Sequence, residues 1–200
     1  MENRKEQIIE AALKRFAHFG FHKTTMNEIA EDLRITKANL YYYYPDKSSL
    51  ILDVLCKIIT DLHEEEKGII ESYNGDFMKT LHSVIELHGI YMRKYYVFHI
   101  NENLDWIKGV DIAKTMDEFY QRDIDTLKNL LKRAIENGEL TIENIDEFAV
   151  TYTEIQKGLG LLHKVTDVIT GIPNESNVDK IIESQKRAAK LIFKSKLKSI

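Results

Sequence analysis

Residues 25–45 read TMNEIAEDLRITKANLYYYYP, and this stretch decides the fold. Thr25 and the glutamate three residues later form a capping box, which predicts the start of a short helix. Thr36 can cap a second short helix, and Pro45 disfavours helical geometry at the residue before it, so this helix should end there. Because only two residues separate the two helices, the spacing predicts a helix-turn-helix, in which the helices cross at a steep angle.

The rest of the chain also follows helical spacing, with apolar residues every three to four positions. Glycine and proline together make up 9 + 2 = 11 of the 200 residues, roughly half of their average usage. Since sandwiches and barrels need frequent turns, this scarcity favours helices. We therefore predict an all-α protein of about nine helices: the two of the motif, and helices over residues 3–20, 47–71, 77–95, 104–107, 112–137, 145–170 and 177–196.

Composition and charge exclude several classes of protein. A single cysteine, Cys56, excludes a disulfide framework and a cysteine-rich zinc site. No apolar run approaches the ~18 residues of a membrane span, and the first residues lack the apolar core of a signal peptide. We therefore expect a soluble, cytoplasmic protein with no membrane partner. The net charge is −4, so any contact with DNA must come from a local patch rather than from bulk charge.

The outer face of the second short helix carries side chains that can read a DNA duplex. Lys37 can donate to guanine O6 or N7, Thr36 can bond several base edges, and Ala38 can contact a thymine methyl group. The N-terminal residues of such a helix reach base edges in the major groove. These three residues are the predicted base contacts.

Phosphate contacts are predicted around the same helix. The hydroxyls of Tyr41 and Tyr42 can donate to phosphate oxygens. The N-terminal amides of the first short helix, next to Thr24 and Thr25, form another phosphate site, and Lys47 at the start of the next helix adds a third. Four consecutive tyrosines span four directions around a helix axis, so at least one should lie in the core and two or more should face outward.

The chain resembles a known family in these motifs. Over roughly residues 5–55 it is similar to the DNA-binding domain of TetR-type transcriptional regulators, through Phe19-Gly20-Phe21, Thr24-Thr25, Ile29-Ala30, Leu40-Tyr41-Tyr42-Tyr43-Tyr44, Lys47 and Leu50. The resemblance implies that Tyr44 is buried behind the helix. Two residues depart from the pattern. Arg34 stands where such turns commonly have glycine, and a left-handed conformation there would cost on the order of 1 kcal/mol. Tyr43 replaces a frequent histidine.

The same resemblance implies a homodimer, usually a repressor that a small molecule releases from double-stranded DNA. Residues 1–46 would form the DNA-binding domain and residues 47–200 the effector-binding and dimerisation domain, with the fourth helix shared by both. Because the dimer is two-fold symmetric, its operator should be an inverted repeat. The last two helices would form the dimer contact, for which the candidates are Ile155, Leu159, Leu162, Ile181, Ile182, Ala188, Ala189 and Ile192.

The C-terminal part is rich in aromatic residues, which can line an apolar pocket for an apolar or aromatic effector. At helical spacing such residues also commonly form the core. From helix faces and family topology, the candidate effector-binding residues are His88, Tyr91, Tyr95, Phe98, Trp106, Phe119, Tyr120, Tyr152 and Gln156. The run Glu64-Glu65-Glu66 is interpreted as a solvated helix face. Gly158 and Gly160 inside a helix suggest close approach of another helix, at a possible dimer contact.

Two alternatives from other classes stay open. A helical-bundle metalloenzyme needs a glutamate three residues before a histidine, and none of the seven histidines has one. No phosphate-binding glycine loop occurs either, so we expect no enzyme activity, no metal and no cofactor. The second alternative is a structural helical adaptor without DNA binding, which would leave the outer face of residues 36–42 without a task.

Overall fold

The computed structural model describes residues 2–96, 112–170 and 174–198. Within these residues the chain forms eight α-helices, and its only β pairing is an isolated bridge between Leu140 and Leu197. The predicted all-α class is confirmed, and the short helix expected over residues 104–107 lies outside the described residues. The helices are α1 (Glu2–Lys23), α2 (Met26–Asp32), α3 (Lys37–Tyr43), α4 (Lys47–Glu71), α5 (Phe77–Lys94), α6 (Ile112–Glu136), α7 (Ile145–Thr170) and α8 (Ser176–Phe193).

Side-chain caps set the starts of α2, α3 and α4. Thr25 forms the predicted capping box with Glu28. The hydroxyl of Thr36 accepts a hydrogen bond from the amide of Asn39, and the carboxylate of Asp46 accepts one from Ser49 N. Each cap satisfies a backbone N–H that has no partner within its own helix. These three helices therefore begin where local chemistry predicts.

The turn between α2 and α3 is a Schellman motif. Arg34 adopts φ 52°, the left-handed conformation that the sequence suggested for this position. Its amide donates to Glu31 O, and the amide of Ile35 donates to Ala30 O, both at 3.0 Å. This pair of hydrogen bonds closes the end of α2 and lets α3 leave at a steep angle.

The first core joins α1, α2, α3, the first half of α4 and the C-terminal end of α5. Phe16, Ile29, Leu40 and Leu50 are all fully buried there. Helix α1 is interrupted at Gly20, whose φ of 79° and ψ of 167° are not helical, and it resumes to Lys23 rather than ending at Gly20 as predicted. The interruption follows from glycine's tolerance of positive φ. This core fixes α3 against α4.

The second core lies among the second half of α4 and helices α5 to α8. Helix α8 packs against α5 and α7. At its closest point to α5, a Cβ placed on Gly89 would lie 2.2 Å from Ile182 Cδ1. The side-chain amide of Gln185 donates to Gln156 O at 3.0 Å, which ties α8 to α7. Helix α4 contributes to both cores and connects them.

Three of the expected dimer contacts are placed elsewhere. Ile181, Ile182 and Ala189 are buried within the chain itself and are therefore not available to a second copy, and Ile182 contacts Gly89 of α5. The predicted amphipathic period of α8 was correct, but the period alone does not say which of two neighbours its apolar face meets. Two other expected contacts, Ile155 and Leu162 on α7, are exposed.

Candidate DNA-binding surface and ligand cavity

Helix α3 presents an exposed face that combines a cation with hydroxyl groups. Lys37 and Ala38 are exposed beside the N-cap Thr36. Tyr42 is 74 % exposed, and the ammonium of Lys37 lies 5.6 Å from the ring centroid of Tyr41. An exposed helix N-terminus carrying these groups can enter a major groove and meet both base edges and phosphates.

The four tyrosines divide between surface and core as their helical directions predict. Tyr44 is 2 % exposed, and its hydroxyl donates to Asp53 on α4 at 2.9 Å. Burial and this carboxylate raise the pKa of Tyr44 above its usual range. Tyr43 is half-buried, with its ring edge-on to that of Tyr42 at 5.3 Å. Tyr44 therefore holds the end of α3 against α4, while Tyr41 and Tyr42 stay accessible.

The N-terminus of α2 is already engaged with its own cap. The amide and hydroxyl of Thr25 donate to Glu28 Oε2 at 2.7 and 2.8 Å, and these bonds hold the pKa of Glu28 below its usual value. A phosphate contact at Thr25 stays a prediction, and it requires this carboxylate to give way. The expected phosphate site next to Thr24 needs a correction as far as its side chain is concerned. Thr24 is 1 % exposed and its hydroxyl donates to Gly20 O at 3.0 Å, so the side chain is buried and already hydrogen-bonded.

Lys47 lies at the first position of α4, close to this corner. Its side chain is half-buried, and burial lowers its pKa while the nearby charge of Glu28 opposes that shift. A phosphate would favour its charged form, since an anion near an ammonium stabilises the ionised state. The position is compatible with the predicted phosphate contact.

A cavity of about 520 Å³ lies between α4, α5, α6, α7 and α8. This volume is in the range of small-molecule sites, which are mostly apolar with a few polar groups. Its apolar lining consists of Leu55, Ile58, Ile59, Leu62, Ile70, Leu81, Val84, Ile85, Tyr91, Met92, Tyr95, Leu127, Leu130, Tyr152, Gly160 and Leu161. Its polar lining consists of Glu66, His88, Asp123, Thr153, Gln156, Lys157, Lys164 and Gln185.

Several buried polar atoms of this lining make no hydrogen bond within the described residues. They are Glu66 Oε2, His88 Nε2, Tyr152 OH and Gln156 Oε1. His88 Nε2 lies 3.6 Å from Glu66 Oε1, close enough for charge attraction but long for a hydrogen bond. Burial disfavours the charged imidazole, but Glu66 outweighs it and raises the pKa of His88. Buried polar atoms are normally bonded, so four unpaired atoms in one cavity lining indicate a place for a polar ligand group.

A paired network lies beside these atoms and links α4, α6 and α7. His63 Nε2 and Asp123 Oδ1 are 2.9 Å apart, and Lys157 Nζ lies 2.5 Å from Asp123 Oδ2. Burial works against ionisation of Asp123, but the hydrogen bond with His63 and the charge of Lys157 hold its pKa below the usual value. The carboxylate of Asp123 therefore has both oxygens satisfied, unlike that of Glu66.

Comparison with known proteins finds a family match at the helix-turn-helix and a similar structure over nearly the whole chain. Residues 8–54 match the model of the family described as bacterial regulatory proteins, tetR family. A transcriptional regulator from Cytophaga hutchinsonii ATCC 33406 has 28 % sequence identity and a TM-score of 0.85, over 96 % of this chain and 98 % of that one. Over residues 8–54 this chain thus matches the TetR family.

Two further relatives show which part of the chain carries the sequence likeness and how far the fold is shared. The HTH-type transcriptional regulator RutR of Escherichia coli (strain K12) is 45 % identical over 56 residues, which are 28 % of this chain and 26 % of RutR. The matched stretch thus spans about a quarter of RutR. A TetR-family regulator from Pectobacterium atrosepticum has 13 % identity and a TM-score of 0.74 over 100 % of this chain and 96 % of that one, which shows a shared fold. The sequence likeness of this chain to TetR-family proteins is therefore concentrated in the helix-turn-helix.

The structure brings together part of the predicted effector set. His88, Tyr91, Tyr95, Tyr152 and Gln156 all line the cavity, although effector binding by them stays a prediction. Two other candidates on α6 are not in the lining. The ring of Phe119 lies 6.4 Å from that of His63, and the hydroxyl of Tyr120 donates to Glu154 at 3.3 Å. The remaining candidates, Phe98 and Trp106, lie outside the described residues.

Sequence reasoning missed Glu66, and its reading as part of a solvated face was wrong. Glu66 is 5 % exposed and lines the cavity, whereas Glu64 and Glu65 are exposed. A signal was present in the sequence: the apolar stripe of α4 runs through Ile58 and Leu62 in steps of four, and the next step is Glu66. A carboxylate that falls on an apolar stripe indicates burial more strongly than membership of an acidic run indicates exposure to solvent.

Two negative findings apply to the described ranges. No helix within residues 2–96, 112–170 and 174–198 is long and apolar enough to cross a membrane. In the same ranges, no group of three or more His, Cys, Asp or Glu side chains is arranged to hold a metal ion.

Proposed function

We propose that this chain is a ligand-responsive DNA-binding transcriptional regulator. It acts in the cytoplasm as a repressor that a small apolar or aromatic molecule releases from an inverted-repeat operator. The observation that carries the proposal is the exposed α3 face of Lys37, Tyr41 and Tyr42, which stands on a helix-turn-helix inside the TetR-family match over residues 8–54. In this proposal Thr36, Lys37 and Ala38 contact bases, because they lie at the α3 N-terminus.

The phosphate contacts surround this base-reading helix. We assign them to Tyr41, Tyr42 and Lys47, with the amide of Thr25 as a fourth donor after rearrangement of Glu28. Few cations are involved, so the salt dependence should be moderate. A dimer with about six such contacts would show a log–log salt slope near −5.

Helix α4 supports the coupling between ligand and DNA. We infer a DNA-binding domain over residues 1–46 and an effector-binding and dimerisation domain over 47–200, with α4 packed in both cores. Leu50 anchors the start of α4 to the helix-turn-helix, and Leu62 and Glu66 line the cavity farther along the same helix. A ligand that prefers one tilt of α4 would move α3, within the limit of its differential affinity for the two shapes.

A second copy of the chain is the proposed occupant of an apolar surface stripe on α7. Ile155, Leu162, Val165 and Ile169 follow steps of three, four and seven and are exposed, with Ile169 at 79 %. Gly158 lies on the same stripe, and a Cβ placed there would meet no atom within 4 Å. Such an apolar row is costly in water and is typical of an oligomer contact. A two-fold dimer would set the two α3 helices about 34–36 Å apart, or a multiple of that.

The dimer is tested by sedimentation velocity on Leu162→Glu, with Ile90→Glu as the matched control. Leu162 and Ile90 are both exposed, but Ile90 lies on α5 and is not part of the α7 stripe. We expect the first variant to be monomeric and to lose operator affinity, and the second to match the unaltered protein. A strictly monomeric unaltered protein would remove the dimer from the proposal.

The DNA-binding role is tested by binding-site selection from random duplexes, followed by titrations at several salt concentrations. Lys37→Ala should relax the preference at one base position, by about 1–3 kcal/mol, because it removes a base contact. Tyr42→Phe should weaken selected and random DNA alike, because it removes a phosphate donor. Lys67→Ala, which removes an exposed cation far along α4, serves as the charge-matched control and should change neither.

Each role has its own contrary outcome. Unchanged specificity in Lys37→Ala would remove that residue from the base contacts. A loss in Tyr42→Phe confined to the selected site would contradict a phosphate role. If the unaltered protein, free of small molecules, binds no duplex even in dilute buffer, the proposed function fails as a whole.

A further inference from the structure

Glu66 is the most unusual polar group in the cavity. It lies on α4 with 5 % of its surface exposed, and its Oε2 has no hydrogen-bond partner among the described residues. Its neighbour His88 is 3.6 Å from the other oxygen and therefore satisfies neither. A buried carboxylate oxygen without a donor is unfavourable, so its retention in a cavity indicates that something else supplies the donor.

Two more unpaired atoms in the same lining have matching chemistry. Gln156 Oε1 is an acceptor, and the amide nitrogen of this side chain is already directed at Gln185 O, 3.4 Å away. The hydroxyl of Tyr152 interacts with the side chain of Gln156, which lowers the pKa that burial raises. It makes no hydrogen bond of good geometry within the described residues, and it can accept as well as donate. Glu66 Oε2 and Gln156 Oε1 only accept, so a ligand that meets both must carry N–H or O–H donors.

The cations that line the cavity are already faced by acidic groups. Lys157 Nζ lies 2.5 Å from Asp123 Oδ2. Burial lowers the pKa of Lys164, and the charge of Asp167 opposes that shift. A ligand carboxylate would have to compete with these acids for the lysines, and it would bring a second negative charge near Glu66. An anionic head group is thus disfavoured by the same arrangement.

We propose that the cavity binds a small molecule with an apolar or aromatic body and a protonated primary or secondary amine, whose N–H groups donate to Glu66 and to the oxygens of Gln156 and Tyr152. This inference rests on the proposed function, since the cavity is the site assigned there to the effector. The aliphatic and aromatic walls take the body of the ligand. Glu66 supplies the countercharge, and the ammonium takes the place of the His88 imidazolium that this carboxylate otherwise favours at 3.6 Å. An ammonium group has up to three donors and no acceptor, which matches the three unpaired oxygens of Glu66, Gln156 and Tyr152.

The test compares three probes with one body and different head groups: 4-phenylbutylammonium, 4-phenylbutanol and 4-phenylbutyrate. Each is titrated calorimetrically into the full chain at pH 7 without DNA. We expect the ammonium to bind about tenfold or more tightly than the other two, as a charge-assisted hydrogen bond to a buried carboxylate would give. Equal binding of ammonium and alcohol, tighter binding of the carboxylate, or no ammonium binding at millimolar concentration would each overturn the proposal.

Variants then assign the head-group preference to a residue. Glu66→Gln keeps the shape and removes the charge, and it should weaken ammonium binding about tenfold or more while leaving alcohol binding unchanged. Glu64→Gln makes the same charge change on the exposed side of α4 and should have no effect. Tyr152→Phe should weaken the ammonium severalfold and covers the case in which Glu66→Gln does not fold. Unchanged ammonium affinity in Glu66→Gln would overturn the assignment.

The outcomes separate this inference from the proposed function. The probe titrations contain no DNA, so they report on the cavity even if the chain binds no operator. A protein that binds DNA specifically but shows no ammonium preference refutes the head-group inference alone. A protein that prefers the ammonium through Glu66 but binds no duplex refutes the regulator instead.

Discussion

Replacement of Gly89 by alanine should destabilise the protein, although alanine is the better helix former. Alanine at an interior helix position gains about 1 kcal/mol over glycine. At Gly89, however, the added Cβ would lie 2.2 Å from Ile182 Cδ1 and 2.9 Å from Ile182 Cγ1. Ile182 is buried between α5 and α8, so it has little room to move, and such overpacking costs about 1–3 kcal/mol.

Gly68 provides the matched control, because it is also within a helix but an added Cβ meets no atom within 4 Å. Gly68→Ala should therefore stabilise by up to about 1 kcal/mol. The difference between the two variants cancels helix propensity and isolates the clash, and we expect about 1–3 kcal/mol. In a chain of this length each kcal/mol corresponds to about 2–4 °C in Tm.

The assay is urea unfolding of both variants at one fixed protein concentration, since oligomerisation couples stability to concentration. Ile182→Val removes the methyl group that the new Cβ meets. In the unaltered protein this substitution should lower the free energy of unfolding by about 0.5–1.5 kcal/mol, but in the Gly89→Ala background it should lower it little or not at all. A double-mutant cycle measures this coupling. If Gly89→Ala is as stable as Gly68→Ala, the close approach of α5 and α8 does not limit this position and the reasoning is refuted.

Two further predictions concern the turn at Arg34 and the paired network of His63, Asp123 and Lys157. Arg34→Gly should raise the free energy of unfolding by up to ~1 kcal/mol, because glycine relieves the left-handed φ of 52° at a smaller cost in chain entropy; a lower urea midpoint would contradict this. Asp123→Asn should be less stable than the unaltered protein at pH 7, with a flatter profile in acid. The pKa of Asp123 is depressed in the folded state, so its contribution is present above the ordinary value of about 4 and is lost as the pH falls through the folded pKa. Parallel stability profiles of the two proteins from pH 7 to pH 3 would rule out this role.

Features that depend on neighbours within four residues were predictable from the sequence. The caps at Thr25, Thr36 and Asp46 were expected and are present, because each joins a side chain to a backbone amide three residues away. The left-handed Arg34 follows from the two-residue turn between α2 and α3. The same holds for Tyr44, whose burial followed from the family resemblance and from helical directions.

The cavity depended on contacts between distant parts of the chain. Of the predicted effector-binding residues, His88, Tyr91 and Tyr95 lie on the side of α5 that lines it, and their binding role stays a prediction. Phe119 and Tyr120 have the same aromatic character but point out of the lining, because the rotation of α6 is set by its packing on α4 and α7.

The sequence by itself determined where the helices begin, the steep crossing of α2 and α3, and the residues exposed on α3, because capping, turn geometry and helical period act over a few positions. Long-range packing alone determines which helices enclose Glu66 and that Ile182 faces α5. The physical reason is that an amphipathic stripe specifies which side of a helix is buried but not what buries it. That choice is made by close packing among helices far apart in the chain.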